Sequence, residues 1–411
     1  MTAEVVRSLS AAELPDPMVM PSRRQCPLDP PHEYAALREE RPWSRLRLPG
    51  GRVGWLVTRH EDARAVLTDP AFSPPLIQVT PNVDLPLPAE ELQVPPGMFS
   101  AMDPPEQSRY RRLVSRHFTR KRSRELSPRI QQIVDEQLDG MAASGSPADL
   151  VRWFAQAIPT RVITEMLGIP EEDQEEYHRW VIAALTLATP EAELREAGAV
   201  IVGKLAALVA AKRANPQDDI ISGLLLDDER PLTDEEVVSI SVLLLIAGLE
   251  TTANMLGLGA FALLEHPEQT AKLRADESLM DNAIEELLRY LTIVQFGLTR
   301  TAREETRIGD RVIPAGETIV VSLAAANRDP EVYPEAERLD LLRAETAHMA
   351  FGHGVHQCLG AQLARVEMKI AFTTLLRRFP DLRLAVPASE VPTGEDKVFY
   401  GVHELMVTWG A

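Results

Sequence analysis

Cysteine is scarce: the 411 residues hold two, Cys26 and Cys358. Two thiols exclude a disulfide framework and a four-cysteine zinc site. Basic charge is also short. Against 61 Asp and Glu stand 43 Lys and Arg, a net charge of −18. That sign excludes a general nucleic-acid binder, which needs a net basic face. Membrane-spanning runs of about 18 or more uncharged apolar residues are missing. The longest candidate, Val237 to Leu249, is broken by Ser239 and Ser241 and stopped by Glu250. The opening residues lack the basic start and apolar core of a secretory signal. No membrane is therefore expected, and the reducing cytoplasm is the expected compartment, which suits a free thiol. No internal repeat or low-complexity linker is visible.

What remains is ordinary for a folded protein: 45% apolar and 25% charged residues, too apolar for disorder. A chain of this length buries a large core without disulfides. Length alone suggests two or three domains, but the pattern reads as one unit over 1–411, with 1–20 a flexible N-terminus. Prolines crowd Leu14 to Pro31 and Ser73 to Pro105. Between them, His32 to Arg41 reads as a short helix behind Pro30 and Pro31, and Arg52 to Thr58 as a strand. The proline-rich stretch from Ser73 reads as a long functional loop.

Glu106 to Lys272 is mostly helical, with apolar residues at three- and four-residue spacing in Val151 to Leu167 and Leu194 to Arg213. Thr233 and Glu236 form a capping box. The helix they start extends to Leu264, roughly 32 residues and about 48 Å at the usual rise. Its apolar residues surround it, so it is expected to be buried. A helix over Met280 to Leu291 follows. Then come short strands at Arg307 to Ile308, Arg311 to Ile313 and Thr318 to Leu323. A helix after Cys358 carries Leu359, Leu363, Val366 and Ile370 on one stripe. Leu382 to Trp409 reads as short strands and turns. The expected fold class is mainly α with a small β portion.

The densest chemistry lies in Phe351 to Gly360, FGHGVHQCLG. Gly352, Gly354 and Gly360 permit tight turns and close approach to a flat ligand. Cys358 precedes a helix, whose N–H groups and dipole favour a thiolate. Other readings are a structural cysteine, a nucleophile awaiting a distant His, and a zinc site using His353, His356 and Cys358. None of these accounts for the glycines together with Phe351. The pattern Phe-x-x-Gly-x-His-x-Cys-x-Gly resembles the haem-binding loop of the cytochrome P-450 monooxygenases, and the likeness runs from about Arg23 to the C-terminus. It is nearest to the soluble actinomycete enzymes that hydroxylate sulfonylureas, vitamin D, macrolides and statin-like polyketides. Pro21 to Pro27, Gly354 to Gly360 and Gly401 to Leu405 carry that closer likeness. Cys26 falls in the first of these stretches and reads as structural or incidental.

The resemblance implies a long central helix crossing a buried haem b, with Cys358 as the iron ligand pushing electron density onto the metal. Ala247-Gly-Leu-Glu-Thr-Thr252 interrupts the most apolar helix with an acid, two hydroxyls and a glycine. A glycine there costs up to about 1 kcal/mol, and a threonine can bond the carbonyl one turn back. By resemblance this is the oxygen groove. Thr251 would hold oxygen and its waters, and Glu250 would deliver protons. Ala247, Gly248, Phe351 and Gly360 would surround the cofactor, and Arg111, Arg300 and His356 would hold its propionates. Many relatives have His where this chain has Gln107. Glu286 and Arg289 would form a buried structural network with a later arginine, Arg338.

Arg109 to Arg124 holds eight Lys or Arg and no acid. By resemblance this island, around Arg109, Arg112, Arg116 and Lys121, meets an acidic ferredoxin steered by charge. Two electrons would come from NAD(P)H through ferredoxin reductase. The implied substrate is a bulky hydrophobic small molecule: a polyketide, macrolide, sterol or drug-like compound. Its pocket would be lined by Ser73 to Ser100, Leu243, Leu244, Ala247, Ile293, Val294 and Phe399, with Ile169 to Ala184 moving over it. The expected enzyme is a monomer. The alternatives are a haem sensor or carrier without turnover, which needs no acid–alcohol pair, and a non-haem metal protein.

Overall fold

A computed structural model describes residues 16–75, 93–226, 231–344 and 347–410. Helices dominate, with α1 Glu33–Glu40, α2 His60–Thr68, α3 Glu106–Ser115, α4 Arg120–Glu125, α5 Ser127–Ser144, α6 Ala157–Leu167, α7 Gln174–Leu185 and α8 Glu191–Ala214 in the first half. The second half adds α9 Ile220–Leu225, α10 Asp234–Glu265, α11 Pro267–Ala275, α12 Met280–Leu291, α13 Leu323–Ala326 and α14 Ala361–Arg378. The strands are β1 Trp43–Arg47, β2 Val53–Val57, β3 Phe72–Ser73, β4 Ala148–Asp149, β5 Leu298–Ala302, β6 Thr306–Ile308, β7 Arg311–Ile313, β8 Thr318–Val321, β9 Arg383–Leu384 and β10 Met406–Thr408.

The axis of the molecule is α10. Its start is the capping box the sequence predicts: Thr233 Oγ1 accepts from Glu236 N at 3.2 Å, and Glu236 Oε2 accepts from Thr233 N at 2.7 Å. The same carboxylate accepts from Tyr110 Oη at 2.6 Å, so the cap also ties α10 to α3. The helix runs 32 residues to His266 and Pro267. The mean hydropathy of its most apolar 18 residues, 1.7, and its length would suit a membrane span. In this fold its sides are instead taken up by the protein core, from Val237 and Leu245 at one end to Phe261 and Leu263 at the other.

The stretch from Val151 opens in π turns, Val151–Gln156, before α6 continues it. Pro159 lacks the N–H that would bond the Ala155 carbonyl, which favours an irregular start. The β portion is a five-stranded sheet ordered β1-β2-β8-β5-β3, a three-stranded sheet β4-β10-β9 and the hairpin β6-β7. Trp55 pairs with Ile319 in the parallel β2/β8 contact, and Arg300 with Ile319 in the antiparallel β5/β8 contact. The sequence pattern did not mark β5, because its Thr and Arg hide the strand periodicity.

One expectation is corrected at the N-terminus. Residues 1–15 lie outside the described residues, but 16–20 are docked: Met18 N donates to Arg45 O at 2.9 Å, and Met20 is buried. Of the loop expected from Ser73 to Ser100, residues 76–92 lie outside the described residues.

Candidate functional site

A cavity of about 350 Å³ lies between the middle of α10 and the Cys358 loop that leads into α14. From α10, Leu243, Leu244, Ala247, Gly248, Thr251 and Thr252 form one wall. Phe351, Gly352, His356, Cys358, Leu359 and Gly360 form the facing wall, and Arg111 and Arg300 close one edge. Positive φ at Gly352 (70°) and Gly354 (75°) makes the loop double back, a conformation that favours glycine. At Gly354 a Cβ would lie 2.4 Å from the Leu67 carbonyl oxygen, so the close approach also requires glycine. Cys358 N donates to Phe351 O at 2.8 Å, closing the turn beneath the thiol.

Cys358 is a free thiol whose surface opens onto the cavity. Burial pushes its pKa up, and the opposing pull of the Gly360 N–H, Arg111, Arg365 and the Ala361 N–H does not overcome it. The helix start therefore does not by itself make the thiolate expected from sequence. A metal cation must displace the proton. Among the described residues no three His, Cys, Asp or Glu side chains converge on a metal position, so the His353/His356/Cys358 zinc reading has no geometry.

The cationic edge is built for an anion. Arg300 is 3% exposed and donates to Thr299 O at 2.8 Å. Burial lowers its pKa to about 10, and the acid that offsets this, Asp103, acts only through space. His356 is pushed down to about 4 by burial and by Arg300. Arg111 donates to Gln357 O at 2.6 Å, and burial lowers its pKa as well. A guanidinium this buried calls for a counter-charge, and haem propionates supply one. An apolar slot, a thiol on its floor and a cationic edge together fit the implied haem. Gln107 takes a different part: buried at 1% exposure, its Nε2 donates to Val355 O at 2.9 Å, clamping the cysteine loop from α3.

Above the thiol, Thr251 Oγ1 donates to Ala247 O at 2.6 Å, the back-bond expected one turn earlier. Gly248 lines the cavity and also packs against a neighbouring helix. A Cβ there would sit 2.8 Å from Ile163 Cγ1, so the missing side chain admits Ile163 of α6. Glu250, the residue before Thr251, is 1% exposed and turned away from the cavity lining. Its Oε1 lies 2.9 Å from Lys397 Nζ and accepts from Asn254 Nδ2 at 3.2 Å. Sequence reading missed Lys397, which follows Glu395 and Asp396 in the C-terminal segment and carries no signal of burial.

Of the expected substrate residues, Leu243, Leu244, Ala247, Ile293 and Val294 line the cavity. Phe399 does not; it is bridged to Val294 and lies outside the lining. Phe99 and Ser100, from the end of the expected Ser73 to Ser100 segment, also line the cavity, and Phe118, Ile163 and Met255 join them without having been singled out from sequence.

Two further assignments change. Glu286 accepts from Arg289 at 2.7 and 2.8 Å, from Arg343 Nε at 3.1 Å and from Asp340 N at 2.9 Å. The third member is thus Arg343. Arg338 contributes only its carbonyl, and its side chain points to solvent beside Glu335. In the basic island, Arg109 turns inward to Glu236 at 3.0 Å and does not face a partner. Arg112, Arg116, Arg120 and Lys121 are exposed, on the same α3–α4 segment whose Gln107 and Arg111 hold the cysteine loop.

Comparisons with known proteins agree with this geometry. The cytochrome P450 family model matches residues 179–398. Cytochrome P450 105C1 of Streptomyces sp is 44% identical over 393 residues, covering 96% of this chain and 99% of that protein. Mycinamicin IV hydroxylase/epoxidase of Micromonospora griseorubida is 39% identical over 92% of this chain and 94% of its own length. The crystal structure of CYP105P1 in complex with filipin I superposes with a TM-score of 0.91 at 42% identity, covering 96% of this chain and 99% of that one.

Proposed function

The chain belongs to the cytochrome P450 family, and on that premise we propose that it hydroxylates a bulky hydrophobic small molecule of the macrolide, polyketide, sterol or drug-like kind. It is a monooxygenase, and its cofactor is haem b. When bound, haem b supplies the redox chemistry that activates dioxygen. Cys358 would hold the iron from below, and Arg111, Arg300 and His356 would hold the propionates at the cavity edge. The apolar wall of Leu243, Leu244, Ala247, Ile293 and Val294 excludes water and orients the substrate. A relative named for a mycinamicin and a solved relative carrying filipin I support this substrate class.

Protons must reach the oxygen while bulk water stays out. Thr251 presents a hydroxyl to the cavity with its own proton engaged by Ala247 O. That leaves the oxygen lone pairs free to accept a hydrogen bond. Glu250 sits on the next residue and would feed protons to this hydroxyl. The observation that carries the reading is the Thr251 hydroxyl and the Cys358 thiol lining one cavity, with the buried Glu250 carboxylate on the residue adjoining Thr251. Electrons would come from NAD(P)H through ferredoxin reductase and a ferredoxin, docked on the exposed face of Arg112, Arg116 and Lys121.

The test is spectral and chemical. The reduced, CO-bound protein is expected to show the red-shifted band of a thiolate haem, and Cys358→Ser to lose it. Thr251→Ala is expected to consume NAD(P)H while releasing peroxide in place of product. A Cys358→Ser protein with an unchanged band would overturn the ligand assignment.

A further inference from the structure

Lys397 lies in the C-terminal loop, yet it is 5% exposed. A buried ammonium is costly without a counter-charge, and its partner is the carboxylate assigned to proton delivery. Nζ lies 2.9 Å from Glu250 Oε1, with Glu250 itself 1% exposed. Asn254, one turn along α10, donates to the same oxygen. The other oxygen, Oε2, is buried with no hydrogen-bond partner among the described residues. Glu250 also walls a cavity with room for about one water, together with Gln156, Ala253, Asn254 and Gly257.

The lysine is aimed by a clamped backbone. Residue 397 is bridged to Thr186 just past α7, and its carbonyl accepts from Gln295 Nε2 at 2.8 Å. On either side, Leu187 N donates to Asp396 O at 2.8 Å and Val398 N to Leu185 O at 2.9 Å. His178 of α7 also feels both charges. Burial lowers its pKa below the usual value, so near neutral pH it adds no second cation.

We propose that Lys397 is a positioning residue for proton delivery: it keeps Glu250 ionised and occupies one carboxylate oxygen, leaving the other to take a proton from a bound water and pass it toward Thr251. This rests on the reading of Glu250 as the proton source. A carboxylate stripped of its cation at this depth would take up a proton and hold it, and a permanently protonated acid cannot accept the next proton from water. A pair that served stability alone would give a different signature, because its loss would lower the unfolding midpoint without changing what happens to protons during turnover.

The experiment compares the haem-loaded full chain with Lys397→Met, Lys397→Arg, Glu250→Gln and the double variant Lys397→Met/Glu250→Gln. Infrared spectra in water and heavy water are expected to show a new protonated-carboxyl band in Lys397→Met. The band should be absent from wild type, from Lys397→Arg and from the double variant. With testosterone as the probe substrate and a bacterial ferredoxin pair, product per NAD(P)H is expected to fall several-fold in Lys397→Met. The loss should come with a larger solvent isotope effect, an unchanged substrate-induced spectral shift and recovery in Lys397→Arg. If Lys397→Met does not fold, Lys397→Gln carries the same readouts. No new carboxyl band, with Glu250→Gln uncoupled, would overturn the role of Lys397 alone. Wild-type coupling in Glu250→Gln would overturn the proton-source reading and, with it, the purpose assigned to Lys397.

Discussion

Replacing Glu286 by alanine tests the most buried charge network in the fold. Glu286 is 1% exposed and Arg289 has no measurable exposure. The carboxylate accepts four hydrogen bonds, two from Arg289, one from Arg343 and one from the Asp340 backbone. Arg289 spends its other contacts on the carbonyls of Asn327, Ala336 and Arg338. Truncation would leave a guanidinium charge in the core with no counter-charge, and breaking a buried pair this way costs about 3–5 kcal/mol. Folded proteins have roughly 5–15 kcal/mol in total, so the loss takes about a fifth or more of it. The damage is local to the segment from Asn327 to Arg343, which leads directly into the cysteine loop. The expected outcome is therefore poor haem retention together with a lower denaturant midpoint, read from the haem absorbance and the tryptophan fluorescence. Arg343→Ala removes the bond to Glu286 and three bonds to the carbonyls of Pro334, Glu335 and Arg338, and should cost at least the ~1.5–3 kcal/mol of one charge-assisted bond. Arg338→Ala, with its side chain 61% exposed, should stay within about 0.5 kcal/mol of wild type. A Glu286→Ala protein with full haem and a wild-type midpoint, or an Arg338→Ala protein as damaged as Arg343→Ala, would refute the reasoning.

Three other outcomes are expected. Arg112→Glu should slow reduction by ferredoxin at low salt and flatten its salt dependence, measured by stopped-flow; unchanged, salt-independent rates would count against docking on α3. For Glu285, burial raises the pKa but hydrogen bonds from Arg365 and His348 outweigh it and bring it to about 2. A folded pKa below the ordinary 4.5 adds stability above that value and loses it as pH falls through about 2, so Glu285→Gln should soften the acid limb of the unfolding profile. Glu367 is the opposite case: burial raises it from 4.5 to about 8, and its Oε2 has no hydrogen-bond partner among the described residues. Its contribution is complete below 4.5 and lost as pH rises through about 8. Glu367→Gln should then hold its midpoint across that window, and a parallel decline in both proteins would sink the assignment.

What was legible in the sequence was local. The Phe351–Gly360 loop reads directly because positive-φ glycines and the cysteine act within ten consecutive residues. The capping box at Thr233 and Glu236 reads for the same reason, and α10 follows from a long, mostly apolar stretch free of proline. Misreadings arose where a residue's partner comes from elsewhere in the chain. Arg338 and Arg343 are five residues apart and equally basic; only the path of the backbone decides which guanidinium meets Glu286. Arg109 belongs to a basic run by composition but is claimed by the α10 cap. The packing of Gly248 depends on Ile163, a residue of another helix.

By itself, then, the sequence carried the family likeness in the Phe351–Gly360 loop, which implied the cofactor class and Cys358 as the candidate iron ligand, and it marked the Glu250–Thr251 pair and the central helix, because each lies within one continuous segment. Tertiary structure alone decided the charge environment of the site: the burial that pushes the Cys358 thiol up, the buried Arg300 guanidinium at the cavity edge, and the Lys397–Glu250 pair across 147 residues. Those are matters of burial and of distance between remote side chains. Desolvation and Coulomb interaction depend on three-dimensional separation, which no spacing in a linear chain records.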